Sequence, residues 1–428
     1  MSRPPLADGA IADHDLSFHL RQHLALGPIF EAEVAGRRQV ILAGPEANVF
    51  MARAGGSVLG HHVFWQDFDR EPAAERLVRA GEANRGRRAM LGPGYSRGRI
   101  RDRLPDLVAM TLRATAAWEP GRPVPLYAWV QRLVAEQLGE LLTRHVPGER
   151  FPDLVTFMHA NMAMLTGARP PSTLREPEYV AARERVFALA RSVVDAHRGP
   201  RPPGRAPDLV DDVLAAAAEH GHALTDEQMA HVVLGPFLAG LDTVSTMASY
   251  LLHALLTHPG ALARARSEAA ALLAPGLSWR RVGDMRALQG AAMETLRLHP
   301  LAIGHECEAM RPFTFAGRRV DALQPVFVAM AVPHFLPRLY PDPERFDVDR
   351  FHPPRAEHRR PGAYAPFGLG DRGCLGSGIA QALLVITVGT VLARFDVELD
   401  DPAPALPPGA ASPNAVMHGL RLRVVGER

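Results

Sequence analysis

The sequence predicts a mainly α-helical protein with a small β-rich part, arranged as a single domain over residues 1–428. Apolar residues recur at helical spacing through most of the chain, and short strand-like runs occur near both ends. No internal repeat is visible, and no linker is long enough to separate two domains. The β-rich part is therefore expected to take strands from both ends of the chain.

The composition is typical of a soluble globular protein. Of the 428 residues, 47% are hydrophobic and 22% are charged, so the chain can bury a sizeable core. The formal net charge of +2 gives no overall signal for a nucleic-acid partner. Two cysteines cannot form a disulfide framework, which favours a reducing, cytoplasmic setting.

The individual elements follow from local patterns. Residues 27–52 predict two strands joined by a turn at Gly36-Arg37, then a helix with Pro45 in its first turn. Thr225 is expected to cap a long helix that has an acidic first turn. Other helices are predicted over 105–118, 127–145, 177–198, 284–299 and 380–395, and strands within 312–320, 325–332 and 420–425.

We expect no membrane span. The N-terminal residues contain no apolar stretch of signal-peptide or anchor length. The most apolar internal stretch, His231–Leu256, has Asp242 in its middle, where a bilayer would make a carboxylate costly. This stretch is therefore interpreted as a long buried helix.

The segment PFGLGDRGCLG, residues 366–376, carries the clearest chemical signal. Its cysteine, Cys374, lies just ahead of a predicted helix, where backbone N–H groups and the helix dipole stabilise a thiolate. The surrounding glycines allow a flat ligand to approach the backbone, and Arg372 can pair with an anionic group on it. A thiolate, a flat hydrophobic partner and a nearby anion together describe haem with its propionates.

Four motifs, in order, resemble those of cytochromes P450. The segment Phe367–Gly376 matches the family's FxxGxRxCxG haem loop. The other three are A-G-x-D-T, E-x-x-R and P-E-R-F, found at Ala239–Thr243, Glu294–Arg297 and Pro343–Phe346. The resemblance extends over nearly the whole chain, from Gly27 onward.

This resemblance implies the P450 fold: a large helical domain, a small β-rich lobe, and haem between the long central helix and the cysteine-loop helix. Residues 1–24 would be an N-terminal extension, and residues 25–45 would begin the β-rich lobe. The implied cofactor is haem b, with Cys374 as the thiolate ligand of the iron. Its other contacts are expected from Arg372, Arg88, Asn84, His305, Phe367, Gly368 and Gly376. Asn84 departs from the family, which commonly has histidine there, and Cys307 takes the place of a propionate-binding arginine.

The resemblance also assigns roles in the long helix. Asp242 and Thr243 would relay protons, Gly240 would leave a groove for dioxygen, and Ala239 belongs to the same motif. Two other interpretations stay open: Asp242 as a buried acid paired with a basic side chain, and Thr243 bonded to the carbonyl four residues earlier. The second can coexist with a catalytic role.

Two further groups of residues follow from the family. Glu294, Arg297 and Arg345 are expected to form a buried charge cluster beneath the haem. The substrate pocket is expected around 61–68, 158–165, 301–303 and 414–416, including Phe237, Leu238, Leu241, Leu301, Ile303 and Val416.

The implied activity is a monooxygenase that hydroxylates or epoxidises a hydrophobic small molecule of terpenoid, steroid, polyketide or fatty acyl type. Besides this substrate and O2, the expected partners are an acidic ferredoxin and its reductase, which supply electrons from NAD(P)H and dock on the arginine-rich segment 85–103. Alternatives are a peroxide-using or rearranging haem-thiolate enzyme, and a non-catalytic P450-like partner protein. The intact Asp242-Thr243 pair argues against the first, and Cys374 argues against the second.

Overall fold

The computed structural model describes residues 4–60, 85–165, 168–219, 224–400 and 419–428. The expectations for Asn84, Val416 and the pocket segments 61–68 and 414–416 lie outside these ranges. Within them, the chain is mainly helical, with three small sheets.

The helices are numbered in chain order. They are α1 Leu16–Leu26, α2 Pro45–Phe50, α3 Gly56–Val58, α4 Arg97–Arg101, α5 Leu104–Ala114, α6 Leu126–Thr143, α7 Phe151–Leu165, α8 Pro177–Arg198, α9 Leu209–Glu219, α10 Asp226–Thr257, α11 Pro259–Ala269, α12 Trp279–Asp284, α13 Arg286–Leu298 and α14 Ser377–Arg394. Residues 85–91 are also helical.

The strands form sheets of six, three and two members. They are β1 Leu6–Ile11, β2 Ile29–Val34, β3 Arg37–Ala43, β4 Leu59–Gly60, β5 Pro123–Pro125, β6 His305–Ala309, β7 Phe313–Phe315, β8 Arg318–Val320, β9 Pro325–Ala329, β10 Phe395–Leu399 and β11 Arg421–Glu427. The orders are β1-β2-β3-β9-β6-β4, β10-β11-β5 and β7-β8.

Most predicted elements are confirmed. The first predicted hairpin is β2–β3, with a turn at Ala35-Gly36, one residue earlier than predicted. Both turn residues have positive φ, 49° and 73°, which matches the mirror-image turn that suits a two-residue hairpin. The helix predicted over 177–198 is α8, and Pro45 occupies the first turn of α2. Strand β1 and helix α1 were not predicted.

The described chain divides into two compact units. The first comprises residues 4–60, 85–87 and 289–374. Its six-stranded sheet is buried on both faces, because alternate residues of β3 enter different apolar clusters: Val40 and Leu42 in one, Ile41 and Ala43 in the other. Burial on both faces explains why β3 ends in a continuous apolar run.

The second unit comprises residues 88–165, 168–219, 224–288, 375–400 and 419–428. Its central element is α10, a helix of 32 residues whose predicted N-cap, Thr225, is confirmed and also forms a capping box with Gln228. Helices α6, α8 and α14 pack against α10. The amide of Gln137 on α6 bonds to Thr111 on α5 at 3.3 Å and to Thr387 on α14 at 3.2 Å, which satisfies buried polar groups between three helices.

Within the described ranges, two helices, α10 and α14, are long and apolar enough to cross a membrane by length and composition alone. In the most apolar window of each, however, 61% and 72% of the residues are buried inside the protein. Burial of this extent is typical of core helices in soluble proteins. The interpretation of His231–Leu256 as a long buried helix agrees with this finding.

Candidate functional site

The cysteine loop is held by its own backbone. The N–H of Cys374 donates to the carbonyl of Phe367 at 2.7 Å, and the N–H of Gly373 donates to that of Gly370 at 3.0 Å. The Cys374 side chain is exposed, and Gly376 is the N-cap residue of α14. The loop therefore fixes the backbone at Cys374 and leaves its thiol accessible.

Two glycines are required for this shape. Gly368 and Gly370 have φ of +73° and +60°, in the left-handed region that disfavours other residues. A Cβ at Gly368 would lie 3.0 Å from Nε2 of His305, and one at Gly370 would lie 2.8 Å from the carbonyl oxygen of Met51. The loop can therefore approach both neighbours only with glycine at these positions.

Strand β6 brings His305 and Cys307 towards this loop. Burial lowers the pKa of His305, and the positive charge of Arg372 lowers it further. Burial raises the pKa of Cys307 to about 12, although Arg372 opposes this shift. Cys307 is thus a neutral thiol within the apolar cluster of the sheet, and Cys374 is the accessible one.

Glu294 lies at the centre of a buried charge cluster. Its carboxylate accepts two hydrogen bonds from Arg297, at 2.7 and 2.8 Å, and one from Nε of Arg350 at 2.9 Å. The N–H of Asp347 adds a further bond at 3.0 Å. The side chains of Glu294, Arg297 and Arg350 are essentially inaccessible to solvent. Such charges are tolerated only when their partners are all in place.

The third member of this cluster was predicted wrongly. Arg345 is exposed, and it meets the cluster through its backbone carbonyl, which accepts from Arg350. Two Arg-Phe pairs, Arg345-Phe346 and Arg350-Phe351, lie five residues apart, and the first matches the P-E-R-F motif letter by letter. The second lies in a 3₁₀ turn, Val348–Phe351, capped by Asp347. Because the N–H of Asp347 bonds to Glu294, this turn directs Arg350 inward.

His334 connects the cluster to the cysteine loop. Arg297 donates to the carbonyl of His334 at 2.6 Å, and the N–H of Ala365 donates to its Nε2 at 3.0 Å. Nε2 is therefore an acceptor, and Nδ1 carries the hydrogen that points to the Arg297 carbonyl at 3.2 Å. Complete burial lowers the pKa of His334 to about 3, so the ring is neutral. Sequence reasoning missed this residue.

Three side chains hold the carboxylate of Asp242 on α10. Oδ1 accepts from the hydroxyl of Tyr127 at 2.9 Å and from the amide of Gln131 at 2.7 Å. Oδ2 lies 3.2 Å from Nε2 of His159. Burial raises the pKa of Asp242, but the bonds from His159, Gln131 and Tyr127 outweigh it and bring the pKa below its usual value. Asp242 is thus an ionised acid with a basic partner. This agrees with the second interpretation of Asp242 from the sequence, an acid paired with a basic side chain.

Thr243 and Ala239 share one face of α10, and both are exposed. The Thr243 hydroxyl donates to the Ala239 carbonyl at 2.8 Å, the local bond that the sequence had also suggested. A Cβ at Gly240 would lie 3.1 Å from the Cδ1 methyl of Leu138 on α6, so this methyl group would have to shift by a few tenths of an ångström.

The expected pocket residues that the structure describes differ in their exposure to solvent. Phe237 and Leu241 are buried in the helical unit, and Leu238 is half-buried. Leu301 is exposed, and Ile303 packs against the apolar cluster that contains Phe327.

The family model for cytochrome P450 matches residues 14–418. The chain belongs to the cytochrome P450 family. A putative cytochrome P450 139 of Mycobacterium tuberculosis (strain ATCC 25618 / H37Rv) is 27% identical over 395 residues, covering 87% of this chain and 89% of that protein. Cytochrome P450 4A11 of Homo sapiens is 33% identical over 220 residues, covering 51% of this chain and 42% of that protein.

Solved structures establish the P450 fold for the chain. The retinoic acid-bound cyanobacterial CYP120A1 matches with a TM-score of 0.79 at 22% identity, over 100% of both chains. CYP102L1 matches with a TM-score of 0.74 at 21% identity, over 96% of this chain and 98% of that one. The fold prediction is thereby confirmed.

Family membership makes this P450 a haem-thiolate monooxygenase whose cofactor is haem b. The residues present fit such a cofactor. Cys374 offers an exposed thiol ahead of a helix, and Cys307 is a buried, neutral thiol. Arg372 and Arg88 are half-buried cations that suit propionates.

The arginine-rich segment of this P450 is partly structural. Arg99 bonds to both carboxylate oxygens of Asp212, at 2.6 and 2.8 Å, and to the carbonyl of Pro207 at 2.8 Å. Arg103 bonds to Glu140 at 2.7 Å and also to Asp106. By contrast, Arg101 is exposed, next to Asp102.

Proposed function

We propose that Cys374 is the thiolate that ligates the haem iron of this monooxygenase. The observation that carries the proposal is the exposed thiol of Cys374 on a backbone fixed by the bond from its N–H to Phe367. When bound, haem supplies the activation of dioxygen and the insertion of one oxygen atom into the substrate. Arg372 and Arg88 would hold the propionates, and Phe367, Gly368 and Gly376 would line the loop side of the ring.

His305 is a further candidate for a propionate contact. Its ring lies against Gly368, close enough that a Cβ there would approach Nε2 to 3.0 Å. Because its pKa is lowered, His305 would donate a hydrogen bond as a neutral ring at pH 7 and would not act as a cation. Arg372 would then provide the positive charge.

Asp242 and Thr243 would carry the protons that reduction of dioxygen consumes. Asp242 is the acid, held on both oxygens, and Thr243 offers a hydroxyl on an exposed face of the same helix. The bond from Thr243 to Ala239 orients this hydroxyl without removing its acceptor lone pairs.

The substrate would be a hydrophobic small molecule, of terpenoid, steroid, polyketide or fatty acyl type. The support is the apolar character of the proposed lining: Phe237, Leu238, Leu241, Leu301 and Ile303. Spectral shifts on addition of a lipophilic library, followed by product formation with NADPH, a ferredoxin and its reductase, would test this proposal. Shifts and products confined to hydrophilic compounds would contradict it.

Electrons would come from NAD(P)H through an acidic ferredoxin, and the protein would work in the cytoplasm. Arg85, Arg97 and Arg101 are exposed arginines suited to steering such a partner. Arg101 also pairs with the exposed Asp102, whereas Arg99 and Arg103 are half-buried and bonded to acids on other helices. Salt screens steering charges over roughly 8–10 Å at near-physiological ionic strength.

A charge reversal tests this route. The double variant Arg85→Glu/Arg101→Glu should slow ferredoxin-driven turnover and flatten its dependence on salt, while substrate binding stays the same. Reversal of an exposed arginine outside this segment, Arg311→Glu, is the matched control. Unaltered salt dependence in the double variant would place the docking surface elsewhere.

A further inference from the structure

His197, in the last turn of α8, bonds to an acceptor through each of its ring nitrogens. Nδ1 lies 2.7 Å from the carbonyl oxygen of Val193, and Nε2 lies 2.8 Å from Oδ2 of Asp208. A backbone carbonyl can only accept a hydrogen bond, so Nδ1 carries a hydrogen. The side chains of His197 and Asp208 are 7% and 1% exposed, so both bonds are shielded from water.

Asp208 accepts the second bond as a carboxylate. Its Oδ1 accepts from the N–H groups of Val210 and Asp211, at 2.9 and 3.2 Å, at the start of α9. Its Oδ2 accepts from Nη1 of Arg205 at 2.9 Å as well as from His197. Burial raises the pKa of Asp208, but the bond and charge of His197, the N–H of Asp211 and the charge of Arg205 outweigh it and bring the pKa below its usual value. Since both oxygens accept, Nε2 also carries a hydrogen and the ring is an imidazolium.

The charges around His197 favour this protonated form. The bond to Asp208 raises the pKa of His197, burial lowers it, and the bond to the backbone carbonyl and the charge of Asp211 complete a net rise. Two cations stand by the same acids: Arg205, which pairs with Asp208 and at 2.7 Å with Asp211, and Arg144, just after α6. Other charged groups at these helix ends form separate pairs: Arg198 with Asp195 and Asp226, and Asp212 with Arg99.

These bonds hold two helix ends together across a loop. Residues 199–208, GPRPPGRAPD, connect α8 to α9 and contain four prolines and two glycines, which cannot extend either helix. His197 binds Asp208 from the helix before the loop, and Arg205 binds Asp208 and Asp211 from within it. Helix α8 also packs against α7, α9 and α10, so the cluster fixes one end of a helix with three neighbours.

We infer that His197 is a pH-sensitive clamp between α8 and α9. As an imidazolium it holds the end of α8 and the loop 199–208 to Asp208, and when its proton passes to solvent the clamp opens. A neutral ring keeps a hydrogen on one nitrogen alone. The other nitrogen then faces the lone pair of an oxygen at 2.7 or 2.8 Å, which is repulsive.

The direction of the switch follows from the raised pKa of His197. A histidine in the unfolded chain titrates near about 6.5. Because the pKa in the folded protein lies above this value, the contribution of the clamp to stability is complete below pH 6.5 and is lost as pH rises through the folded pKa. One titrating group changes the equilibrium between closed and open clamp by at most about tenfold per pH unit.

Trypsin can detect the open clamp, because the peptide bond after Arg205 can be cut only when this side chain leaves Asp208 and Asp211. The haem-loaded enzyme is digested between pH 6.5 and 9, and each initial rate is divided by the rate for a synthetic peptide of residues 198–212. This division removes the pH dependence of trypsin itself. The wild-type ratio should rise severalfold as pH increases. His197→Gln cannot be charged, so its ratio should be high at pH 6.5 and nearly independent of pH.

His231→Gln is the matched control. His231 is exposed on α10, and its ring makes the same kind of bond to a carbonyl four residues earlier, at 2.7 Å from Glu227. This variant should keep the wild-type profile. A wild-type ratio that does not change with pH, or the wild-type profile in His197→Gln, would overturn the inference.

The second test measures the titration itself. In the reduced, CO-bound protein labelled with 13C-histidine, the resonance absent from His197→Gln belongs to His197. It should titrate above pH 6.5 in the wild type and closer to that value in Asp208→Asn, which keeps an oxygen for the N–H groups of Val210 and Asp211. Titration at or below pH 6.5, or a titration that Asp208→Asn leaves unchanged, would refute the clamp. Neither test requires turnover, so both are independent of the proposed function.

Discussion

Replacement of Arg350 by alanine tests the assignment of the buried cluster. Arg350 makes five side-chain hydrogen bonds: Nε to Glu294, Nη1 to Pro341 O and Glu357, and Nη2 to Asp342 O and Arg345 O. Its loss would leave the carboxylate of Glu357 without a buried cationic partner, although Arg355 still pairs with it at 2.7 Å. Glu294 would keep Arg297 and the N–H of Asp347.

Removing one partner of a buried ion pair costs about 3–5 kcal/mol. With an unfolding entropy of roughly 2 cal/mol/K per residue, a chain of 428 residues loses about 1 °C of melting temperature per kcal/mol. Arg350→Ala should therefore lower the melting temperature by about 3–5 °C. The same variant should load less haem, because the 341–350 segment is tied to Glu294 through Arg350.

Arg345→Ala is the matched control, since it removes an exposed guanidinium from the neighbouring Arg-Phe pair. Thermal unfolding followed by circular dichroism, with haem content read from the absorbance ratio, gives both quantities. The reasoning fails if the two variants melt at the same temperature, or if Arg345→Ala is the less stable one.

Two further predictions concern Thr243 and His334. Thr243→Ala should retain haem and substrate binding but divert electrons from NADPH into hydrogen peroxide, because a positioned hydroxyl is lost. Thr243→Ser keeps the hydroxyl and should stay near the wild-type ratio of product to NADPH. The same ratio in all three proteins would remove Thr243 from the proton route. The pKa of His334 is about 3 in the folded protein, below its unfolded value of about 6.5. Between these two pH values the unfolded chain binds a proton that the folded protein does not. The free energy of unfolding therefore falls as pH falls, by at most about 1.4 kcal/mol per pH unit. His334→Asn should therefore reduce the slope of melting temperature against pH between 6.5 and 5, and an unchanged slope would mean that other groups, such as the buried His19, dominate it.

The sequence could predict elements whose signals are local. The N-cap at Thr225, the β2–β3 hairpin and the bounds of α8 each depend on residues close together in the chain, and each agrees with the structure. Strand β1 lacks such a signal, because LADGAI is short and contains a glycine. It exists because β2 offers it a parallel partner.

The site was less predictable, because its decisive contacts join distant parts of the chain. Nothing in the sequence shows that Tyr127, Gln131 and His159 converge on Asp242 from helices more than 80 residues away. The choice between Arg345 and Arg350 depended on which arginine a 3₁₀ turn directs inward, and motif letters cannot show that. The identical chemistry of two nearby Arg-Phe pairs made the motif ambiguous.

The most direct test of the account is the spectrum of the reduced, CO-bound protein in the wild type, Cys374→His and Cys307→Ala. The wild type and Cys307→Ala should show the strongly red-shifted Soret band of thiolate-ligated haem, because Cys307 is a buried, neutral thiol. Cys374→His should lose this band even where haem remains bound. If Cys374→His keeps the band, or Cys307→Ala loses it while still binding haem, Cys374 is not the iron ligand and the account is wrong.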